Sequence, residues 1–375
     1  ARLPEWAFAR QIHLVLAPGH SQWVETFAQL KIPVLGPREA CWSALSGRRA
    51  LREILRRAGL KGMEGESFTD RERAERYLAA QPLPLWLRSE TGPWYQAVLV
   101  RDRYSAFREL GHMFEHAEGN AVSIERAHRG PLLGLALLTD GETGAPFGVC
   151  RVQAYRFEGE TGPLTEGMGA WAPGGPAGLE ERLWERIGRP LLSALRAEGL
   201  LHPGFVQLRL KIADDQIFVE EIAWGLDDLH AATVLPLWEG ELGPVLAAAA
   251  RGTLSGWTPR WKSGYAVCVV LAAPGYPLRP QTGYPVGDVD AVDTLLFHQA
   301  TCLRPDAKRA PWPGALFPTW EAEVPGEVVA DGGRALFVVG CGKDLPEARD
   351  QAYRALGQLR TPYGCWRTDI GAEES

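Results

Sequence analysis

The chain has 375 residues, of which 46% are hydrophobic and 23% charged, and its formal net charge is −6. These proportions are typical of a globular protein with two or three domains, and the negative charge without a basic cluster argues against nucleic acid as its main partner. No stretch approaches the roughly 18 consecutive apolar residues of a membrane helix. The 6 cysteines occur singly, which favours reduced thiols in a cytoplasmic protein over disulfides or zinc.

The first 47 residues predict one strand–helix–strand unit. Residues 12–19 form an apolar run that ends in a turn, residues 22–30 have helical spacing, and residues 32–35 form a second apolar run. A strand–helix–strand unit begins a parallel sheet, so the chain is expected to have an α/β fold.

A helix and a small inserted domain are predicted next. Leu51, Ile54, Leu55 and Ala58 recur at helical spacing after Arg48, and Gly59 is a helix stop signal. The stretch 61–124 predicts strands at 85–88 and 98–100 and helices at 69–79 and 103–116.

The second half of the chain predicts a larger sheet followed by another domain. Residues 206–212 and 217–220 flank Asp214 and Asp215, which is a hairpin signal within a sheet that extends from residue 122 to about 250. Residues 252–259 read as a linker, and a smaller α/β domain is expected from residue 266 onward.

Residues 159–173 read Gly-Glu-Thr-Gly-Pro-Leu-Thr-Glu-Gly-Met-Gly-Ala-Trp-Ala-Pro, with 4 glycines and 2 prolines. Glycine allows sharp turns and close approach to another group, and proline interrupts helices and strands. We therefore expect a shaped loop that holds a ligand.

The order of these residues resembles the signature Asp-Thr-Gly-Pro-Asn-Thr-Gly-Gly-Met-Gly-Ala-Tyr-Ser-Pro of the glycinamide ribonucleotide synthetases, also called phosphoribosylamine–glycine ligases. These are ATP-grasp enzymes of purine biosynthesis. Other segments resemble the family in the same order, namely residues 36–37, 45–51, 275–277, 296–298, 332–334 and 366–371. The resemblance implies an ATP-grasp fold with a truncated amino-terminal domain over 1–47, a central domain over 48–60 and 125–252, a lid over 61–124 and a carboxy-terminal domain over 260–375.

The resemblance also implies ATP and Mg²⁺ as cofactors and a small-molecule carboxylate as substrate. Arg49 and Arg88 match two nucleotide-facing lysines, and Glu125 begins the segment that faces adenine. Gln153 and Arg156 match positions in the catalytic region. The matching substrate-loop residues are Thr161, Gly162, Thr165, Gly167, Met168 and Gly169. The matching metal ligands are Glu220, for which Glu221 is the alternative, and Asp227.

Several matching positions differ from the family in their chemistry. Trp94 and Tyr95 replace lid residues that include glycine, Ile222 replaces a metal-binding asparagine, and Glu166 replaces a signature glycine. Pro131 and Leu132 replace an acidic pair, and the glycine-rich half-domain that precedes the family's second strand is absent.

Together these differences predict an eroded ATP and metal site with weak or absent ligase activity. The alternative is an active, divergent ATP-dependent carboxylate–amine ligase that uses arginine in place of the phosphate-binding lysines. The missing half-domain leaves three alternatives open: a shortened sequence, the loss of half of the substrate site, or a partner protein that supplies the missing half.

Three other patterns have alternative interpretations. His112 and His116 form a His-x-x-Glu-His motif that can bind zinc, although an exposed lid helix is favoured. His298 is interpreted as a packed, hydrogen-bonded histidine instead of a catalytic base. The paired carboxylates Asp227 and Asp228 are a candidate residual metal site.

Overall fold

The computed structural model of the chain describes residues 12–17, 21–45, 47–90, 96–116, 121–304, 327–361 and 363–372, and these ranges contain ten α-helices and sixteen strands. The helices are α1 (Ser21–Gln29), α2 (Glu39–Ala44), α3 (Arg48–Arg57), α4 (Arg71–Ala80), α5 (Arg103–His116), α6 (Leu179–Leu183), α7 (Arg189–Ala197), α8 (Asp228–Val234), α9 (Leu242–Ala250) and α10 (Leu345–Gln358).

The first eight strands are β1 (Val15–Leu16), β2 (Val34–Leu35), β3 (Gly65–Phe68), β4 (Leu85–Ser89), β5 (Ala97–Val100), β6 (Val122–Arg126), β7 (Leu132–Asp140) and β8 (Gly144–Phe157). The other eight are β9 (Thr161–Ala172), β10 (Pro203–Ala213), β11 (Gln216–Trp224), β12 (Tyr265–Ala272), β13 (Leu295–His298), β14 (Thr301–Arg304), β15 (Glu327–Ala330) and β16 (Arg334–Gly342). None of the helices in these described ranges is long and apolar enough to cross a membrane.

The chain divides into two compact units. Unit 1 contains Ala1–Arg151, Gly174–Asp227 and Glu239–Trp261, and unit 2 contains Val152–Pro173, Asp228–Trp238 and Lys262–Ser375. The boundary falls inside β8, after Arg151. The division into four domains expected from the sequence stays a prediction.

Unit 1 contains the predicted strand–helix–strand unit, in which β1 and β2 pair in parallel on either side of α1. It also contains an antiparallel sheet in the order β3-β6-β4-β5, against which α4 and α5 pack. Buried apolar residues from these strands and helices, such as Leu78, Leu87 and Leu110, form a separate core. This separate core explains why residues 61–124 read as an insert in the sequence.

The main sheet of unit 1 has neighbouring strands in the order β11-β10-β7-β8. The predicted hairpin is present, because β10 and β11 pair antiparallel and Asp214 and Asp215 adopt φ of 49° and 61° in the turn. Helices α3, α6 and α7 bury Leu55, Leu183 and Leu191 in the same apolar core as this sheet. The core holds the first turn of α3 beside the sheet.

Unit 2 is built around the antiparallel strand order β9-β12-β16-β13. Helix α10 packs on β16 and β12, and Gly340 permits this contact because a Cβ there would lie 2.2 Å from the carbonyl oxygen of Ala348. Strands β14 and β15 form a second, two-stranded sheet. Unit 2 therefore contains the strands and the helix from residue 265 onward, and a separate carboxy-terminal domain stays a prediction.

One buried histidine gives unit 1 a pH-dependent stability. The ring of His202 packs against Trp224 at a tilt of 50°, with ring centroids 4.4 Å apart, and its Nδ1 lies 3.1 Å from the carbonyl oxygen of Pro203. Its Nε2 is buried without a hydrogen-bond partner among the described residues. Burial lowers the pKa of His202, and the contact with Pro203 opposes this effect only in part.

A lowered pKa in the folded state means that the unfolded chain binds the proton more readily as pH falls below about 6.5. We therefore expect His202→Phe to reduce the loss of unfolding free energy between about pH 7.5 and pH 5.5, by up to about 1.4 kcal/mol per pH unit. Urea denaturation at each pH measures this slope. The exposed His13 serves as the control, and an equal slope in His13→Phe and His202→Phe would contradict the assignment.

Candidate functional site

The predicted nucleotide-binding residues of unit 1 lie in a buried network of arginines and glutamates. Glu125 on β6 is 1% exposed, and both its carboxylate oxygens accept hydrogen bonds from Arg48 at the start of α3, from Nε and Nη2, each at 2.8 Å. Arg88 on β4 is 2% exposed, and its Nε lies 3.2 Å from Glu125 Oε2. Arg52 Nη1 donates to Glu125 Oε1 at 3.2 Å. One carboxylate thus meets three guanidinium groups.

Glu220, the predicted metal ligand on β11, joins the same network. Its Oε1 accepts a hydrogen bond from Arg88 Nη2 at 2.5 Å, and its backbone oxygen accepts one from Arg48 Nη1 at 2.6 Å. Both Glu220 and Arg88 are buried. A side chain predicted to bind phosphate and a side chain predicted to bind metal therefore neutralise each other.

The electrostatics of the network keep Glu125 ionised. Burial by itself raises the pKa of the Glu125 carboxyl, but Arg48, Arg88 and Arg52 outweigh burial and hold this pKa below its usual value. A buried carboxylate with such partners behaves as a fixed structural charge.

Arg49, the predicted phosphate ligand, lies outside this network. Its side chain is exposed, and its backbone N donates to Glu90 Oε1 at 2.6 Å. Its neighbour Arg48, which we did not predict as a site residue, is the buried one. The helical spacing could have identified Arg48 as buried, because it lies on the same face of α3 as Leu51 and Leu55, three and seven residues later.

The second predicted metal ligand is also paired with an arginine. Asp227 Oδ2 accepts a hydrogen bond from Arg209 Nη2 at 2.9 Å, and Arg209 Nε lies 3.4 Å from Glu221 Oε2. Burial raises the pKa of Glu221 to about 6, against the opposing effect of Arg209. Ile222, which lies between Glu221 and Asp227 in the sequence, is apolar and buried. The described residues contain no group of three or more side chains of the metal-binding types placed to hold an ion.

The prediction of a loop over residues 159–173 was wrong for most of its length. Residues Thr161–Ala172 form β9, and the turn before it contains Gly159 and Glu160 at φ of 63° and 55°. Gly169 allows close packing of β9 against β12, since a Cβ there would lie 2.7 Å from the carbonyl oxygen of Cys268, whereas Gly162 and Gly167 adopt positive φ of 80° and 124°. The glycine content of residues 159–173 is therefore compatible with a strand that packs closely against its neighbour.

The other predicted substrate-loop residues occupy different positions along β9. Thr161 and Gly162 are exposed at its start, whereas Thr165 and Met168 are buried. Thr165 Oγ1 donates to the backbone oxygen of Ala154 at 2.7 Å and accepts from the backbone N of Gly167 at 3.0 Å. The hydroxyl of Thr165 is therefore engaged in holding β9 against β8.

Gln153 and Arg156, the predicted catalytic residues on β8, both contact backbone groups of unit 2. The amide of Gln153 donates to the carbonyl oxygen of Asp369 and accepts from the backbone N of Gly371, both at 3.1 Å. Arg156 Nε donates to the carbonyl oxygen of Tyr276 at 3.0 Å. These contacts give both side chains a structural role, and their catalytic role stays a prediction.

Glu166, which replaces a signature glycine, pairs with a buried arginine. Arg334 Nη2 lies 2.7 Å from Glu166 Oε2 and 2.9 Å from Asp228 Oδ2. The two acids are 39% and 37% exposed, and the arginine is 5% exposed. The cluster therefore carries two negative charges for one positive charge.

The histidines singled out in the sequence contact neighbouring protein groups. His112 and His116 stack with ring centroids 4.3 Å apart, and His116 Nδ1 lies 2.9 Å from the backbone oxygen of His112. His298 is exposed, and its Nδ1 lies 2.8 Å from Thr301 Oγ1, so it is hydrogen-bonded but not packed as we predicted. Trp94 and Tyr95 lie outside the described residues.

Comparison with known families finds two matches along the chain. Residues 47–228 match the family described as phosphoribosylglycinamide synthetase, ATP-grasp (A) domain. Residues 266–373 match the family described as phosphoribosylglycinamide synthetase, C domain.

Individual relatives give the same result. The chain is 30% identical over 347 residues to a phosphoribosylamine–glycine ligase of Streptomyces coelicolor, with 91% of this chain and 78% of the relative covered. It is 28% identical over 359 residues to that of Caulobacter vibrioides, with 92% and 79% covered.

Solved structures share the fold. A phosphoribosylamine–glycine ligase from Thermotoga maritima superposes with a TM-score of 0.76 at 21% identity, covering 95% of this chain and 85% of that one. The biotin carboxylase domain of the 2-oxoglutarate carboxylase from Hydrogenobacter thermophilus, solved with MgADP, has a TM-score of 0.67 at 13% identity, covering 97% and 78%. The predicted ATP-grasp fold is confirmed.

Proposed function

Because the chain belongs to the phosphoribosylglycinamide synthetase family of ATP-grasp proteins, we propose that it is a relative of the purine-biosynthesis ligases in which ligase activity is weak or absent. The observation that carries the proposal is the pairing of Arg88 with Glu125 and Glu220. In this arrangement the cation expected on phosphate and the carboxylate expected on metal bind each other.

The charges of the network support weak nucleotide binding. To contact a phosphate, Arg88 has to leave two buried carboxylates, and each carboxylate then lies close to the incoming anion. Separating a buried ion pair costs several kcal/mol unless new partners replace it. The family implies ATP and Mg²⁺, but the residues at this place fit the phosphates poorly.

The metal-binding positions support the same conclusion. Mg²⁺ prefers octahedral coordination by oxygen atoms. Glu220 already bonds Arg88, Asp227 bonds Arg209, and the buried Ile222 offers no oxygen where the family has asparagine. A magnesium ion would need both arginines to release their carboxylates.

A turnover assay with the family's substrates tests the proposal. The protein is supplied with glycine, phosphoribosylamine and MgATP, and the glycine-dependent formation of ADP is measured. We expect a rate at least roughly 100-fold below that of the Caulobacter vibrioides relative, because removing one group that stabilises charge commonly costs this much. A rate within about tenfold of the relative would instead favour the active, arginine-using ligase.

A further inference from the structure

We propose that unit 2 contains a binding site for a small apolar primary amine. The site is a cavity of about 380 Å³ between α8, the turn that follows it, and strands β13 and β16. Ligand pockets in proteins begin at roughly 300 Å³, so this volume accommodates an aromatic ring with a short side chain.

The walls of the cavity are mostly apolar. Seven of its ten lining residues carry apolar side chains, namely Ala231, Ala232, Leu235, Pro236, Leu295, Phe297 and Phe337. Leu295 and Phe297, on a strand at the end of the sheet order, are 45% and 40% exposed. Large apolar side chains that remain exposed around a concavity indicate a ligand or partner surface. The polar, phosphorylated substrate of the family's ligases does not suit such walls.

The charge at one end of the cavity determines which sign of charge a ligand carries there. Asp228 lines the cavity, and its carboxylate shares the Nη2 atom of Arg334 with Glu166. Because two carboxylates meet one guanidinium, this end is net negative and attracts a cation. Glu166 is the residue that stands where the family signature has glycine, so the excess charge is a property of this chain. An ammonium group near Asp228 balances the cluster while an attached apolar group fills the cavity.

This inference is independent of whether nucleotide binds in unit 1, and its test contains no nucleotide. Phenethylamine and phenylacetate, which share a ring and differ in the sign of their charge, are titrated separately into the full-length protein by calorimetry. We expect saturable binding of phenethylamine and at least about tenfold weaker binding of phenylacetate. Equal affinity for both, or no binding of the amine, would overturn the proposal.

Variants of the lining and of the acidic cluster test whether the amine binds in this cavity. Ala232→Leu fills the cavity and is expected to abolish amine binding, whereas Glu166→Gln removes one charge and is expected to weaken it by roughly tenfold. Asp290→Asn, a change of an exposed acid in the same unit, is the matched control and is expected to bind the amine like the wild type. Thermal unfolding of each variant separates loss of binding from loss of fold. Amine binding that is unchanged in a folded Ala232→Leu variant would place the ligand elsewhere and overturn the proposal.

Discussion

Replacing Glu125 with alanine is expected to lower the free energy of unfolding by about 3–5 kcal/mol, the cost of removing one partner from a buried ion pair. The variant leaves Arg48, Arg52 and Arg88 without the carboxylate that all three contact. Arg48 and Arg88 are buried, so bulk water reaches only Arg52, whose side chain is 24% exposed, among the three arginines. Urea denaturation of wild type and variant measures the difference.

A matched control exists on the surface of α3. Glu53 also pairs with two arginines, Arg56 and Arg57, but its side chain is 45% exposed. Because exposed ion pairs contribute little to stability, Glu53→Ala is expected to lower the free energy of unfolding far less than Glu125→Ala. Glu125→Gln, which keeps the shape of the side chain, provides a milder change if the alanine variant fails to fold. Similar costs for Glu53→Ala and Glu125→Ala would show that the buried network does not stabilise unit 1.

The second large effect is expected at Gly169 on β9. A Cβ there would lie 2.7 Å from the carbonyl oxygen of Cys268 and 2.7 Å from two side-chain atoms of Ile370. The carbonyl belongs to β12, which is fixed by pairing on both sides, so the strand cannot move away. Gly169→Ala is therefore expected to destabilise unit 2 by about 1–3 kcal/mol, the usual cost of overpacking.

Gly357 in α10 is the control for this substitution. Nothing lies within 4 Å of a Cβ built on Gly357, and the residue is inside a helix. Gly357→Ala is therefore expected to stabilise the protein by roughly 0.5–1 kcal/mol, because alanine is the better helix former. If Gly169→Ala were as stable as wild type, the packing of β9 on β12 would not require glycine at this position.

The fold was largely predictable because its elements have clear periodicity. The helix that begins at Arg48, the hairpin around Asp214 and Asp215, and the strands and helices of the insert all have apolar spacing that local sequence defines. The strand β9 was not predictable in this way. Its glycines are required by neighbours that are distant in sequence, such as Cys268 and Ile370, and composition alone does not show such neighbours.

The sequence identified several of the residues that meet in the buried network, but it did not show which of them contact each other. Glu125, Arg88 and Glu220 were identified along the sequence, but their mutual contacts depend on β4, β6 and β11 being brought together by the fold. The helical spacing of α3 distinguishes the buried Arg48, but the resemblance to the family assigned its exposed neighbour Arg49 instead. The pairing of Asp228 with Arg334 has no signal in the sequence, because 106 residues separate them.

The measurement that tests the central claim most directly is a calorimetric titration of the wild-type protein with MgATP. The arginine–glutamate network predicts no saturable heat at millimolar MgATP from a sample that unfolds cooperatively on heating. Saturable binding that Arg88→Ala weakens would contradict the claim, since it would mean that Arg88 leaves Glu125 and Glu220 to bind phosphate.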